Sequence, residues 1–162
     1  MKICGIVGWK NSGKTHLAQK LISYFSNKNY QVASIKHAHH NFDIDKPGTD
    51  SYLHRSAGAK QVIISSSKRW AKITEIDKLK EKNLFDLIDN LDFADIVIVE
   101  GFKNEKHPKI EIIGESDSSQ KYLFKELQNV IGIVSDIKID SNLKQFNKNE
   151  IEAIAKHMIE NS

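Results

Sequence analysis

The stretch Gly8-Trp9-Lys10-Asn11-Ser12-Gly13-Lys14-Thr15 decides the fold. Its spacing is G-x-x-x-x-G-K-[ST], the pattern of a loop that holds a phosphate group. Glycine permits a tight turn in which successive backbone N–H groups face one anion. The helix that follows adds the positive end of its dipole at the same point. In such a loop Lys14 bridges the β- and γ-phosphates, and the Thr15 hydroxyl is a ligand for Mg²⁺. Gly8, Asn11, Ser12, Gly13, Lys14, Thr15 and His16 are therefore the candidate nucleotide-binding residues, with Lys14 also the candidate catalytic cation.

The flanking sequence supplies the context this chemistry needs. Residues 2–8 (KICGIVG) are a short apolar run ending in glycine, which predicts a strand buried on both faces. Leu17, Ala18, Leu21, Ile22 and Phe25 fall on one side of a helix over about 14–28. A strand over 32–37 follows, so strand, helix and strand make a right-handed βαβ unit. Residues 38–48 (AHHNFDIDKPG) read as a polar loop. Beyond it the pattern predicts a short helix over 49–56 ended by Gly58, and a hairpin of 60–65 with 70–74 around SSSK. A helix over 83–91, strands over 95–101, 109–113 and 130–135, and an amphipathic helix over 150–160 complete the chain. The expected fold is α/β: a three-layer P-loop NTPase fold with a mostly parallel central sheet, in one domain over 1–162.

Composition narrows the class. With 28% charged and 40% hydrophobic residues among 162, the chain has material for a core and is not intrinsically disordered. The single cysteine, Cys4, has no partner for an internal disulfide. No window reaches the roughly 18 uninterrupted apolar residues of a membrane span. The N-terminal apolar run meets Lys10 and Lys14 too soon for a signal peptide. A net charge of +3, built from scattered lysines with only Arg55 and Arg69 as arginines, does not mark a nucleic-acid binder. The expectation is a cytoplasmic protein with no nucleic-acid or membrane partner.

A P-loop site needs a second acid near the metal, usually at the end of a neighbouring strand. Asp95-Ile96-Val97-Ile98-Val99-Glu100-Gly101 places Glu100 at the carboxyl end of an apolar strand, where ligands of parallel sheets bind. Asp95, about 17 Å away at strand rise, is a strand-start residue instead. Glu100 is the candidate catalytic acid and, with Thr15, the candidate metal ligand; Asp50 is a further one. Lys36, His37, His39, His40, Asp43 and Asp45 are expected in a loop near the phosphates or a second substrate. His37 and His39 could also share a face as metal ligands, although a structural zinc site usually needs four. Asp43, Asp45 and Asp50 could hold Mg²⁺ through water, or cap the helix near Thr49. Asp136, just after Ile131-Gly132-Ile133-Val134-Ser135, is placed to accept hydrogen bonds from guanine N1 and N2. Ile133 and Val134 stand where an N-K-x-D signature would have Asn and Lys, so Asp136 alone carries the guanine expectation.

Together these residues resemble the MobB family, the molybdopterin-guanine dinucleotide biosynthesis proteins B. The resemblance is carried by GWKNSGKT at 8–15, by Ile35-Lys36-His37 through HHNFDIDKPGTDS, by Arg55-Ser56-Ala57-Gly58-Ala59, by Val99-Glu100-Gly101-Phe102-Lys103, and by Lys106-His107-Pro108-Lys109-Ile110-Glu111. One departure is Thr49, where the family pattern has lysine, which leaves fewer positive charges near the phosphates. The resemblance implies a GTP-binding homodimer with Mg²⁺ and weak GTPase activity. Such a protein assists attachment of GMP to molybdopterin, acting as adaptor to a MobA-like nucleotidyltransferase. Two other classes stay open on the residues alone. A metallochaperone GTPase would use the histidine-rich loop as ligands, and a small-molecule kinase would need an arginine-rich lid.

Overall fold

Among the described residues, which are 1–38, 42–76, 81–114 and 121–162, six strands of the computed structural model form one parallel sheet. In chain order the elements are β1 (Lys2–Val7), α1 (Lys14–Asn27), β2 (Val32–Lys36), α2 (Asp50–Ser56), β3 (Gln61–Ser65), β4 (Trp70–Thr74), α3 (Leu84–Ile88), β5 (Ile96–Glu100), β6 (Lys109–Ile112), β7 (Val130–Val134), β8 (Lys144–Phe146) and α4 (Ile151–Glu160). A 3₁₀ turn covers Leu123–Lys125. The described residues gather into two compact units, Met1–His37 with Leu84–Ser162, and Ala38–Asn83.

The first unit holds the sheet, in the order β2-β5-β1-β6-β7-β8. β5 lies between β1 and β2, so the strands flanking α1 are not neighbours. Burial explains the order. Ile96 to Val99 are all buried and demand an interior place, whereas β2 exposes Ser34 and Lys36 and tolerates the edge. Alternate residues divide between two cores. Cys4, Ile6, Ile96 and Ile98 pack with Leu17, Leu21 and Phe25 of α1 and Ile154 and Met158 of α4. Val97, Val99 and Ile35 pack on the other face with Leu84 and Ile88 of α3. Each fully buried side chain of this size contributes about 1.5–3 kcal/mol. Gly5 is glycine because that second face is occupied above it: an added Cβ would lie 2.4 Å from His107 Nε2 and 2.8 Å from Lys109 Cβ.

Two differences from the sequence pattern have physical causes. The helix expected over 83–91 is regular only through Leu84–Ile88. Asn90 Nδ2 donates to the Asp86 carbonyl at 2.6 Å, and Asn90 and Leu91 close i→i+3 bonds that tighten the last turn. The three-residue β8 has no periodicity to announce it, yet pairs with β7 in parallel through Gly132–Lys144 to Val134–Phe146.

The second unit contains α2 and the antiparallel hairpin of β3 with β4, in register Gln61–Thr74 to Ser65–Trp70. Its helix buries no residue, and of its described hydrophobic residues only Val62 is buried. Gly58, at φ 106°, ends α2 as expected, its N–H donating to the Arg55 carbonyl. No helix among the described residues is long and apolar enough to cross a membrane.

Candidate functional site

The loop between β1 and α1 has the backbone its sequence demands. Asn11 and Gly13 have φ of 66° and 105°, and at Gly8 an added Cβ would meet the Ile112 carbonyl oxygen at 2.5 Å. The bulk of any other residue at position 8 would displace this turn. Gly13 caps α1 without a side-chain hydrogen bond, and the first turn carries no acidic residue. The positive end of the helix is thus left open to an external anion. Lys14 Nζ donates to the Trp9 carbonyl at 2.6 Å, closing the loop on itself. Ser12 Oγ is buried and has no hydrogen-bond partner among the described residues.

At the lip of this loop three polar groups meet. Thr15 Oγ1 donates to Glu100 Oε1 at 2.9 Å. Lys36 Nζ lies 3.3 Å from the same carboxylate oxygen and 3.5 Å from Thr15 Oγ1. The sheet register produces this meeting, because Lys36 and Glu100 are the paired last residues of β2 and β5. The His37 N–H donates to the Glu100 carbonyl at 2.9 Å, and its ring stacks on Phe102 with centroids 4.6 Å apart. Gly101 permits that approach, since a Cβ there would sit 2.9 Å from His37 Cβ, and its φ of 93° suits glycine. A groove of about 390 Å³ runs from Thr15, Lys36 and Glu100 along Ala18, Ile22 and Ile98.

The two hard oxygen donors, Thr15 Oγ1 and Glu100 Oε1, fit Mg²⁺, which takes few protein ligands and keeps waters and phosphate oxygens. No group of three or more His, Cys, Asp or Glu side chains among the described residues could hold a metal by itself. His39 and His40 lie outside the described residues. His16 is exposed in the first turn of α1. Asp95 is the strand-start residue expected, its carboxylate accepting from the Gln31 N–H at 2.8 Å.

Asp43 and Asp45, expected to hold Mg²⁺ through water or to cap the helix near Thr49, converge on Arg55. Arg55 Nη2 donates to Asp43 Oδ1 at 2.8 Å and Asp45 Oδ1 at 2.6 Å, Nε to Asp45 Oδ2 at 3.1 Å, and Nη1 to Glu75 Oε1 at 2.7 Å. The hydrogen bonds from Arg55 hold the Asp45 carboxyl below its ordinary range. Asp50 sits in the first turn of α2, where a carboxylate favours the helix dipole. Asp136 follows β7 and is held by Lys148, through Nζ at 2.9 Å and the backbone N–H at 3.2 Å. Those hydrogen bonds keep its carboxyl ionised to lower pH than usual.

Three residues of the 106–111 segment that carries the resemblance, with no task of their own assigned there, are buried polar groups. Lys109 is fully buried and donates to the carbonyls of Glu105 and Gln128 at 2.6 and 3.1 Å. Burial pushes its ammonium below the usual lysine range. Glu111, also fully buried, accepts from the N–H groups of Leu123 and Phe124 at 2.9 and 2.7 Å. His107 is buried with neither ring nitrogen hydrogen-bonded among the described residues, and burial lowers its pKa to about 4. Trp9, inside the loop motif, is also a fastener: its Nε1 donates to the Lys121 carbonyl at 2.9 Å, and Lys103 Nζ stands 5.3 Å from its ring centroid.

Comparison with known proteins identifies the family and the fold. Residues 3–136 match the family described as Molybdopterin guanine dinucleotide synthesis protein B, MobB. The molybdopterin-guanine dinucleotide biosynthesis adapter protein of Escherichia coli (strain K12) is 34% identical over 160 residues, which is 98% of this chain and 91% of that protein. The adapter protein of the same description from Haemophilus influenzae is 42% identical over 67% of this chain and 61% of its own length. A crystal structure described as molybdopterin-guanine biosynthesis protein B superposes with a TM-score of 0.74 at 27% identity, covering 98% of this chain and 97% of that one.

Proposed function

The chain belongs to the MobB family, and on that premise we propose that it binds GTP with Mg²⁺, hydrolyses it slowly, and assists attachment of GMP to molybdopterin. It does so as an adaptor to a MobA-like nucleotidyltransferase. The observation that carries this reading is the convergence of Thr15 Oγ1 and Glu100 Oε1, 2.9 Å apart, at the mouth of an uncapped helix.

Each residue has a physical task. The N–H groups of the loop and the first turn of α1 bind phosphate oxygens, and Lys14 exchanges the Trp9 carbonyl for them. A phosphate oxygen also offers the buried Ser12 hydroxyl an acceptor. Thr15 and Glu100 hold Mg²⁺. The metal, when bound, neutralises charge developing on the phosphates. Asp136 reads guanine by accepting from N1 and N2, and Lys148 keeps it ionised for that role. With Arg55 engaged by three carboxylates, Arg69 is the other arginine and no arginine-rich segment supplies a kinase lid. That favours slow hydrolysis and an adaptor role over phosphoryl transfer.

The homodimer finds support in the second unit. A lone two-stranded hairpin with one short helix is marginal in water, and this one exposes Ile63, Ile64 and Trp70. Pairing of two copies through those residues would bury the apolar surface each hairpin leaves open.

Titration of GTP against ATP with Mg²⁺ present tests the reading. Binding of GTP in clear preference to ATP is expected; binding of neither would overturn it.

A further inference from the structure

Lys36 is an exposed lysine at the end of an edge strand, a position where its charge would ordinarily serve only solubility. Here its ammonium is 3.3 Å from Glu100 Oε1 and 3.5 Å from Thr15 Oγ1. Thr15 donates to that same oxygen, so one carboxylate oxygen receives both the hydroxyl and the ammonium. The Glu100 side chain is only 12% exposed, whereas that of Lys36 is 59% exposed. A carboxylate largely withdrawn from water is stabilised by a cation held beside it. Register supplies one from the neighbouring strand, since Lys36 and Glu100 are directly paired on the same pleat.

We infer that Lys36 is the resident counter-cation of the Thr15–Glu100 pair, and that a divalent metal binds there only by displacing it. This rests on the nucleotide-and-metal reading given above. A doubly charged ion on Glu100 and Thr15 would stand within a few ångströms of the ammonium, and like charges at that distance repel. The lysine can swing away, because its head is in solvent and its four-carbon stem is flexible, but it gives up the Glu100 carboxylate when it does. The released ammonium then meets the negative charge of the bound phosphates, which lie beside the same lip. Metal and nucleotide are thereby coupled: the empty protein holds metal weakly, and the two enter together. Lys36 is a positioning residue for charge in this scheme, and it exchanges one anion for another.

The test is Mn²⁺ binding to the full chain, followed by electron paramagnetic resonance without nucleotide. Lys36→Met should tighten Mn²⁺ about thirtyfold, the order set by a divalent ion and a unit charge about 4 Å apart in a water-like medium. Lys36→Arg, which keeps the charge, should stay near the wild type. In a Glu100→Gln background the effect of Lys36→Met should vanish. The gain in Mn²⁺ affinity produced by a non-hydrolysable GTP analogue should shrink in Lys36→Met. Unchanged Mn²⁺ affinity in Lys36→Met, or a gain that persists without Glu100, overturns the inference. A wild-type chain that binds no GTP, yet shows the Lys36 effect on Mn²⁺, would defeat the nucleotide reading while leaving the counter-cation in place.

Discussion

Thr15 Oγ1 donates to Glu100 Oε1 across 2.9 Å, fastening the first turn of α1 to the end of β5. Glu100→Gln keeps the shape of that contact and removes the charge. GTP hydrolysis with Mg²⁺ should fall by about two orders of magnitude, the scale of a lost metal contribution to the transition state. GTP affinity measured without metal should change by less than about threefold on the same reasoning, because the loop N–H groups remain. Steady-state phosphate release alongside equilibrium titration checks both. Hydrolysis at the wild-type rate would assign the metal to another acid.

Asp136 is expected to select the base. Guanine presents two N–H donors to one carboxylate, whereas adenine turns an acceptor toward it, so discrimination of about 10² is expected. Lys148 uses one lone pair of each carboxylate oxygen, which leaves others for the base. Asp136→Asn should weaken GTP strongly and improve xanthosine triphosphate relative to GTP, since its amide can donate to the C2 carbonyl. Competition titrations with the three nucleotides measure this. Equal affinity of the wild type for ATP and GTP would remove Asp136 from base recognition.

Burial of His107 makes stability depend on pH. In the folded chain the imidazole stays neutral down to about pH 4, while its ordinary pKa is 6.5. Between those values the unfolded chain binds the extra proton, so stability falls as pH drops through that window and levels off below it. The loss amounts to up to about 3 kcal/mol. Asp45 and Asp136, whose carboxyls are held low, add their losses only below their ordinary value of 3.8. Urea unfolding at pH 7 and pH 4.5 isolates the histidine, and His107→Leu should flatten the difference. An undiminished slope in that variant would place the proton elsewhere.

The same histidine explains Gly5. An alanine there would bring Cβ within 2.4 Å of His107 Nε2 in a strand that cannot shift without disturbing both neighbours. Gly5→Ala should destabilise the fold by about 1–3 kcal/mol. Truncating His107 in the same chain should recover part of the loss, a coupling that a double-mutant cycle in thermal melting would expose. Strictly additive effects would contradict the contact.

How far the sequence could be read depended on whether its signals were local. The loop from Gly8 to Thr15, the apolar strand ending in Glu100 and the helix face of Leu17, Leu21 and Phe25 follow from spacing alone, and each appears where expected. The apolar run of β5 was legible as a central strand, but not that it separates β1 from β2, because two strands joined by one helix can equally be neighbours. Asp43 and Asp45 read as Mg²⁺ ligands through water or as helix caps, whereas Arg55, ten or more residues later, is what they meet. Lys109, Glu111 and His107 could be read only as part of the family segment, because their burial depends on the Gln128 carbonyl, the N–H groups of the 3₁₀ turn and Gly5. Nothing in a periodicity reveals such a partner.

The central claim is that the loop from Gly8 to Thr15 holds the phosphates of a nucleotide with Lys14. Calorimetric titration of Mg²⁺–GTP into the wild type and Lys14→Ala tests it most directly. In the wild type, Lys14 leaves the Trp9 carbonyl, so Trp9 fluorescence should change as GTP binds. In Lys14→Ala the affinity should fall by about ten- to a hundredfold, the value of charge-assisted hydrogen bonds to phosphate, while the melting temperature of the nucleotide-free chain stays nearly constant. Equal GTP affinity in the two proteins, with no response from Trp9, would contradict the account.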